Sequence, residues 1–398
     1  MSLNKIEEAL RDLQKGKLII VVDDEDRENE GDLVGLADFV TPGMINFMVT
    51  HGRGLVCAPI TTQLADRLQL APMLEQNTDQ MGTAFTVSID ADGTHTGISA
   101  GERAETIRRL TNPHASPSDF RRPGHIFPLI AKDGGVLERR GHTEAVVDLA
   151  RIVGAKPIGI ICEILNADGT MARLPQLEEI AQEHDLKIIS IEQLVQYRKR
   201  NELWIDDSVR IQFPNVHGDF QMVGFRNHFD FQDHVALVKG EPDKVDAPLV
   251  RIHSECLTGD VFGSKRCDCG EQLHIAIDEI ERVGTGVILY MRQEGRGIGL
   301  YQKLRAYELQ EQGYDTVEAN HQLGFGDDLR DYLLAAQMLE SLGIKKIQLI
   351  TNNPEKMRQL ESYGIEVAEI IPVEVSPVQE NQKYLQTKKE KMGHILSI

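Results

Sequence analysis

The apolar positions fall into short blocks separated by stretches of helical spacing. LIIVV (18–22), GLVCAP (54–59), FTVSI (85–89) and IGIICEI (158–164) are bounded by turn residues and read as buried strands. TPGMINFMVTHG (41–52) and TEAVVDLARIVG (143–154) carry the wider spacing of helices packed on one side. The second half repeats this mixture. VILYM (287–291) runs through a Gly-rich loop into LYQKLRAYELQEQG (300–313). IQLIT (347–351), NNPEKMRQLESYG (352–364) and VAEIIPV (367–373) form a strand–helix–strand unit. Neither half alternates steadily enough for a doubly wound sheet. The expectation is α+β (mixed α/β), with two separate domains, each a mixed sheet with packed helices. The boundary falls near residue 200. There the strand LKIISI (186–191) passes into a helix capped by Ser190 with Gln193 three positions on. The next strand, VRIQFP (209–214), opens a new pattern, which gives domains 1–200 and 201–398.

Length agrees with that division, since 398 residues exceed what one core usually supports. A net charge of -19 disfavours non-specific binding to duplex nucleic acid or an anionic membrane, so neither is expected as a partner. Small anionic substrates remain open, because a pocket needs only local Arg and Lys. The first ten residues read as an amphipathic helix rather than a leader, and LIIVV is too short to span a bilayer. The expected location is the cytoplasm, where the five cysteines would serve metal binding, catalysis or packing rather than disulfides.

Three of those cysteines, Cys256, Cys267 and Cys269, lie within fourteen residues at spacing C-x10-C-x-C. A structural zinc site takes four protein ligands, whereas a catalytic one leaves a position for water, which zinc brings to a pKa near 7. His253 and His274 are near enough in sequence to be the fourth ligand, and buried reduced thiols are the plainest alternative. Downstream, Gly295, Gly297 and Gly299 follow a strand and open a helix, a geometry suited to close ligand approach. TNNPEK (351–356) puts Asn353 and Pro354 at a helix start with Lys356 in its first turn. That arrangement suits an anion, or else is an ordinary capped helix with a solvated lysine.

Together RIHSECLTGDVFGSKRCDCGEQL, RQEGRGIGL, LGFGDDLRDY and LITNNPEK resemble GTP cyclohydrolase II from Arg210 to Val375. The resemblance implies hydrolysis of GTP to a diaminopyrimidine ribosyl phosphate, formate and pyrophosphate. It implies zinc on Cys256, Cys267 and Cys269, with water as fourth ligand placed to attack C8 of guanine. It assigns GTP contacts to Arg251, Ile252, His253, Ser254, Glu255, Gln272, Glu294, Gly295, Arg296, Thr316, Thr351 and Lys356. Glu294 would pair with the guanine N1–H and amine, since a carboxylate accepts two parallel donors. Asp328 would be a base and Arg330 either a nucleophile, a role its high pKa makes difficult, or equally a phosphate clamp. Tyr307 would position water or a base, or else fill the core. Pyrophosphate release implies Mg2+.

In the first half, DDEDRENEGD (23–32) holds seven carboxylates in ten residues directly after a buried strand. Such a run is usually a solvated loop, but hard divalent cations want these oxygens. With HGRGLVCAP, THTGISAGERAET, RPGHIFPL, RRGHTEAVVDL and ICEI it resembles 3,4-dihydroxy-2-butanone 4-phosphate synthase, apart from Glu102 where Asp is expected before Arg103. The resemblance implies conversion of ribulose 5-phosphate to the four-carbon phosphate and formate. Glu28 and His142 would ligate Mg2+ or Mn2+. Arg27, Glu28, Asp32, Arg139, Arg140, Gly141, His142, Thr143 and Glu163 would hold the sugar phosphate, and His125 and Glu163 would move protons. Cys57 would line the pocket or, like Cys162, pack in the core. Both families imply a homodimer or larger homo-oligomer. The Lys-rich tail after Pro377 is expected to be a mobile or helical appendage.

Overall fold

The computed structural model describes residues 3–230, 232–326, 328–390 and 393. Asp327, the first residue of the DDLRDY motif, lies outside them, as do residues 391, 392 and 394–398 of the tail. The chain divides into two compact units, Met1–Asn201 and Glu202–Ile398. Each is α+β, with helices packed on a mixed sheet.

The first unit is built on β1 (Ile19–Val22), β2 (Gly31–Leu36), β3 (Cys57–Ile60), β4 (Ile89–Ala91), β5 (Phe120–Ile130), β6 (Gly159–Glu163) and β7 (Ile188–Ser190). These lie in the order β4-β5-β3-β6-β2-β1-β7. Strand β1 explains its unbroken apolar run. Side chains alternate between faces, so Ile19 and Val21 enter one core cluster while Ile20 and Val22 enter the other. Both faces are covered, so neither tolerates polar residues. Cys57 and Cys162 pack on opposite faces of the same sheet. FTVSI contributes less strand than its pattern suggests, because β4 begins only at its last residue, Ile89. The N-terminal helix likewise starts at Ile6. The closing helix, Ile191–Asn201, is entered through the expected reciprocal cap. Ser190 Oγ accepts from Gln193 N at 3.1 Å, and Gln193 Oε1 from Ser190 N at 2.9 Å.

The second unit contains β8 (Ile205–Asn215), β9 (Gly218–Asn227), β10 (His234–Lys239), β11 (Leu249–Ser254), β12 (Gly286–Met291), β13 (Lys346–Ile350) and β14 (Glu366–Ile371). Their order is β14-β13-β11-β12-β10-β9-β8. Strands β14, β13, β11 and β12 run parallel, while β10, β9 and β8 continue antiparallel. The parallel part gathers the C-terminal ends of β11, β12 and β13 along one edge, where ligand loops of α/β sheets sit. The cysteine segment, the glycine loop and TNNPEK leave from those three ends.

Candidate active sites

In the first unit, the acidic run folds back on itself after β1. Asp23 is buried and its carboxylate accepts from Glu28 N at 3.1 Å, Glu30 N at 2.8 Å and Arg27 Nη1 at 2.8 Å. Arg27 also donates to Glu28. The loop is therefore tied to its own first carboxylate rather than left in solvent. Ligand atoms of Asp23, Glu28 and His142 all come within 4.8 Å of one another. His142 opens the helix His142–Ile152, and its Nε2 lies 3.2 Å from the carbonyl of Val21. A donor there fixes the tautomer and turns Nδ1 toward Glu28, 3.9 Å away. Burial lowers the imidazole pKa, although Asp23 and Glu28 oppose this, so the ring is neutral as a metal ligand must be. Two carboxylates and a neutral imidazole fit a divalent cation such as Mg2+ or Mn2+.

Asp32 and Glu163 face each other in the β2–β6 register. Asp32 is buried, and its Oδ1 has no hydrogen-bond partner among the described residues. Burial, then the charge of Glu163, pushes its carboxyl well above the usual range. Glu163 Oε2 accepts from Leu55 N at 2.8 Å. A Cβ on Gly54 would come within 2.5 Å of that same oxygen, so glycine is what lets the loop approach. One prediction follows from Asp32. The stability held by its neutral form is complete below the ordinary carboxylate pKa and is lost as pH rises toward the raised one. Asp32→Asn, measured without divalent cation at pH 8, should therefore melt higher than the parent. The gain should be about 1–3 kcal/mol, the cost of an unsatisfied buried group, and should shrink toward pH 4. A lower melting temperature at pH 8 would show that Asp32 is not strained.

Of the remaining candidates of the first half, Arg140 comes within 3.7 Å of Asp24 in the acidic loop. Arg139 turns to Glu144 at 2.6 Å and to the Met81 carbonyl at 3.1 Å, while Arg140 pairs with Glu192 at 2.6 Å. Gly141 caps the helix that His142 and Thr143 begin. His125 stands on β5, two strands beyond Glu163, and its Nδ1 lies 2.9 Å from Asp90 Oδ2. No described hydrogen bond or ion pair joins that couple to the Asp23–Glu28–His142 group. Asp90 escaped the sequence reading, although it directly follows FTVSI. Glu102 is occupied with its own loop, accepting from Gly97 N, Ser99 Oγ and Thr96 Oγ1.

In the second unit the three cysteines converge, each offering a sulfur within 4.8 Å of the others. Cys256 Sγ and Cys267 Sγ are 3.6 Å apart. Tetrahedral zinc with bonds of about 2.3 Å separates two sulfurs by about 3.8 Å, so the group fits zinc. Gly259 makes the cradle, since a Cβ there would meet Cys267 Sγ at 2.9 Å and Cys256 Sγ at 3.1 Å. The neighbouring thiols, then Lys303, hold the Cys256 thiol far below its ordinary range, so it carries the charge. Neither candidate histidine joins the sulfurs. His253 Nε2 lies 3.0 Å from Asp260, and His274 is exposed beside His217. Among the described residues the group has three protein ligands.

Around the sulfurs lies a cavity that opens to solvent. It is lined by Arg251, His253, Ser254, Glu255, Gln272, Glu294, Gly295, Arg296, Tyr307, Thr316, Arg330, Thr351 and Lys356. Two expected residues, Ile252 and Asp328, are not part of that lining. The Ile252 side chain is buried, and its carbonyl accepts from Lys356 Nζ at 2.7 Å. Asp328 holds Arg330 through Oδ1 at 2.8 Å and through a second contact to Oδ2. Burial raises the Asp328 carboxyl, but Arg330 outweighs it and leaves the pKa lowered.

Three cations of this lining, Arg251, Arg296 and Lys356, have no carboxylate hydrogen-bond partner among the described residues. Arg251 and Lys356 are buried, and burial lowers both pKa values. Arg251 finds the Ile350 carbonyl at 3.0 Å and Gln272 Oε1 at 2.7 Å, not a carboxylate. Arg296 sits at φ +62° in the glycine loop, and both of its Nη atoms are buried with no acceptor among the described residues. The lysine of TNNPEK is thus not solvated. Glu294 already accepts from Leu257 N at 2.7 Å, Gly295 N at 3.0 Å and Lys303 Nζ at 2.8 Å. Lys303 also reaches Cys256 Sγ at 3.1 Å. Sequence reasoning missed it, as it missed Asp260, which accepts from Cys256 N and Tyr290 Oη. Tyr307 faces Lys303 and Arg266 across its ring rather than the core.

Residues 7–197 match the 3,4-dihydroxy-2-butanone 4-phosphate synthase family, and residues 206–372 match GTP cyclohydrolase II. The curated riboflavin biosynthesis protein RibBA of Bacillus mycoides is 59% identical over 395 residues, covering 99% of this chain and 100% of that protein. Its counterpart in Bacillus cytotoxicus is 58% identical at the same coverage. Among solved structures, RibBX of A. baumannii, described as a two-domain 3,4-dihydroxy-2-butanone 4-phosphate synthase, is 36% identical with a TM-score of 0.67. That match covers 94% of this chain and 100% of the other.

Proposed function

This chain belongs to the family of riboflavin biosynthesis proteins that join a 3,4-dihydroxy-2-butanone 4-phosphate synthase to a GTP cyclohydrolase II, and from that premise we propose how its residues divide the work. It is an enzyme with two activities. One converts D-ribulose 5-phosphate to 3,4-dihydroxy-2-butanone 4-phosphate and formate. The other hydrolyses GTP to 2,5-diamino-6-(5-phosphoribosylamino)pyrimidin-4(3H)-one, formate and pyrophosphate.

In the second site the observation that carries the reading is the meeting of three thiols with cations that lack carboxylate partners. Cys256, Cys267 and Cys269 hold zinc, which when bound brings a water to a pKa near 7. Arg251, Arg296 and Lys356 receive the triphosphate, whose oxygens give them charged acceptors. Arg330 is a clamp rather than a nucleophile, because Asp328 keeps it charged and engaged in a fork. Lys303 keeps Cys256 ionised and Glu294 fixed. Tyr307 orients groups near the sulfurs. Mg2+ accompanies the pyrophosphate.

In the first site Asp23, Glu28 and His142 hold Mg2+ or Mn2+, which when bound offsets charge on neighbouring sugar oxygens. Asp32 and Glu163 exchange protons with the substrate; the raised pKa of Asp32 suits it to donate. His125, oriented by Asp90, serves a further proton transfer. The chain works as a homodimer or larger homo-oligomer on small molecules in the cytoplasm. No helix among the described residues is long and apolar enough to cross a membrane.

GTP labelled with 13C at C8 tests the second site. Labelled formate and pyrophosphate should appear in equal amounts. Phosphate release without labelled formate would reject ring opening.

A further inference from the structure

The C-terminal helix, Gln382–Glu390, has no place in the roles above, yet it lies against the GTP cavity. Its anchorage is specific. Leu385 and Asn381 are buried, and Asn381 Oδ1 accepts from Val378 N at 2.9 Å. The helix packs on Thr316–Gln322, the helix that brings Thr316 to the cavity wall. From it Lys388 Nζ reaches Asp268 Oδ1 at 2.7 Å, across 120 positions of chain. Asp268 is buried and lies between the two thiols Cys267 and Cys269. Its Oδ2 accepts from Gln272 Nε2 at 2.6 Å, and Gln272 Oε1 accepts from Arg251 Nη2 at 2.7 Å.

These contacts form one continuous relay. Lys388 holds Asp268, Asp268 holds the amide of Gln272, and Gln272 aims the buried guanidinium of Arg251. We propose that Lys388 is a positioning residue of the GTP site, and that the C-terminal helix is the part of the site that delivers it. The inference rests on the GTP reading given above. A buried carboxylate beside three sulfurs is unfavourable without a counter-charge. Take the ammonium away and the Asp268 carboxylate loses the partner that fixes its orientation. Gln272 then loses its orienting acceptor, Arg251 its aim, and the cysteine loop its support from behind. Outer partners of a metal group commonly change metal affinity or activity by about 10–100-fold when removed.

The test uses the full-length enzyme as Lys388→Met, Lys388→Arg, Asp268→Asn and the Lys388→Met/Asp268→Asn double variant. Two quantities are read: kcat and KM for formate release from GTP, and the rate at which zinc passes to a chromogenic chelator. Lys388→Met should lower kcat/KM for GTP by about 10–100-fold and speed zinc loss by a similar factor. Lys388→Arg should restore most of both. The double variant should be little worse than Asp268→Asn alone, because both changes break one relay. Formate release from ribulose 5-phosphate should stay at the parental rate in all four. Parental values for Lys388→Met in both readouts would overturn the proposal, as would fully additive losses in the double variant. Failure of the GTP reading itself is distinguishable, since the parent enzyme would then make no formate from GTP.

Discussion

Cys267→Ser is expected to abolish formate release from GTP, by roughly a thousandfold or more, since without zinc a water would keep its ordinary high pKa instead of one near 7. Formate release from ribulose 5-phosphate should stay within about twofold of the parent, because the second unit has its own core and sheet. The size of the loss follows from the ligand count. Only three protein sulfurs gather in this group among the described residues. Taking away one leaves two, too few to hold zinc against dilution. Zinc content by atomic absorption, assayed beside both formate reactions, checks the result. Loss of both activities in a folded protein would mean that the sites depend on each other.

Glu28→Gln should produce the opposite pattern, with formate from ribulose 5-phosphate falling by about 100–10,000-fold, the range of positioned acid–base and charge effects, and formate from GTP unchanged. The amide keeps the shape but removes the charge that faces His142 and accepts from Arg27. Arg27 would still hold Asp23 at 2.8 Å, so the loop should keep its fold. Raising Mg2+ or Mn2+ should recover part of the lost rate, because the defect lies in holding the cation. If activity stays low at saturating cation while the metal still binds tightly, Glu28 acts on the substrate instead.

Much of this architecture could be read from residue order. A strand buried on both faces has to be apolar throughout, and LIIVV announces β1 for that reason. The cap formed by Ser190 and Gln193 is local, so its sequence signal survives into the structure. The clustering of Cys256, Cys267 and Cys269 was legible because the three are close in the chain. What stayed hidden depends on distant pairing. Lys303 looks like one more polar helix position until the fold brings it to Cys256, 47 residues away. Lys388 lies in a polar tail whose composition suggests a mobile or helical appendage, and only packing reveals its contact with Asp268. Asp23 lay in plain view within the acidic run, but composition does not say which carboxylate turns inward. Arg139 and Arg140, given to the sugar phosphate by resemblance, are engaged with Glu144 and Glu192 in this structure.

The central claim is that two complete and independent sites share one chain. Formate release from ribulose 5-phosphate alone, with Mg2+ and no GTP, tests it most directly, because the first site draws on the more dispersed residues. One formate should appear for each four-carbon phosphate formed, at a rate unaffected by stripping zinc from the protein. No formate from ribulose 5-phosphate, in a preparation that still opens GTP, would contradict it.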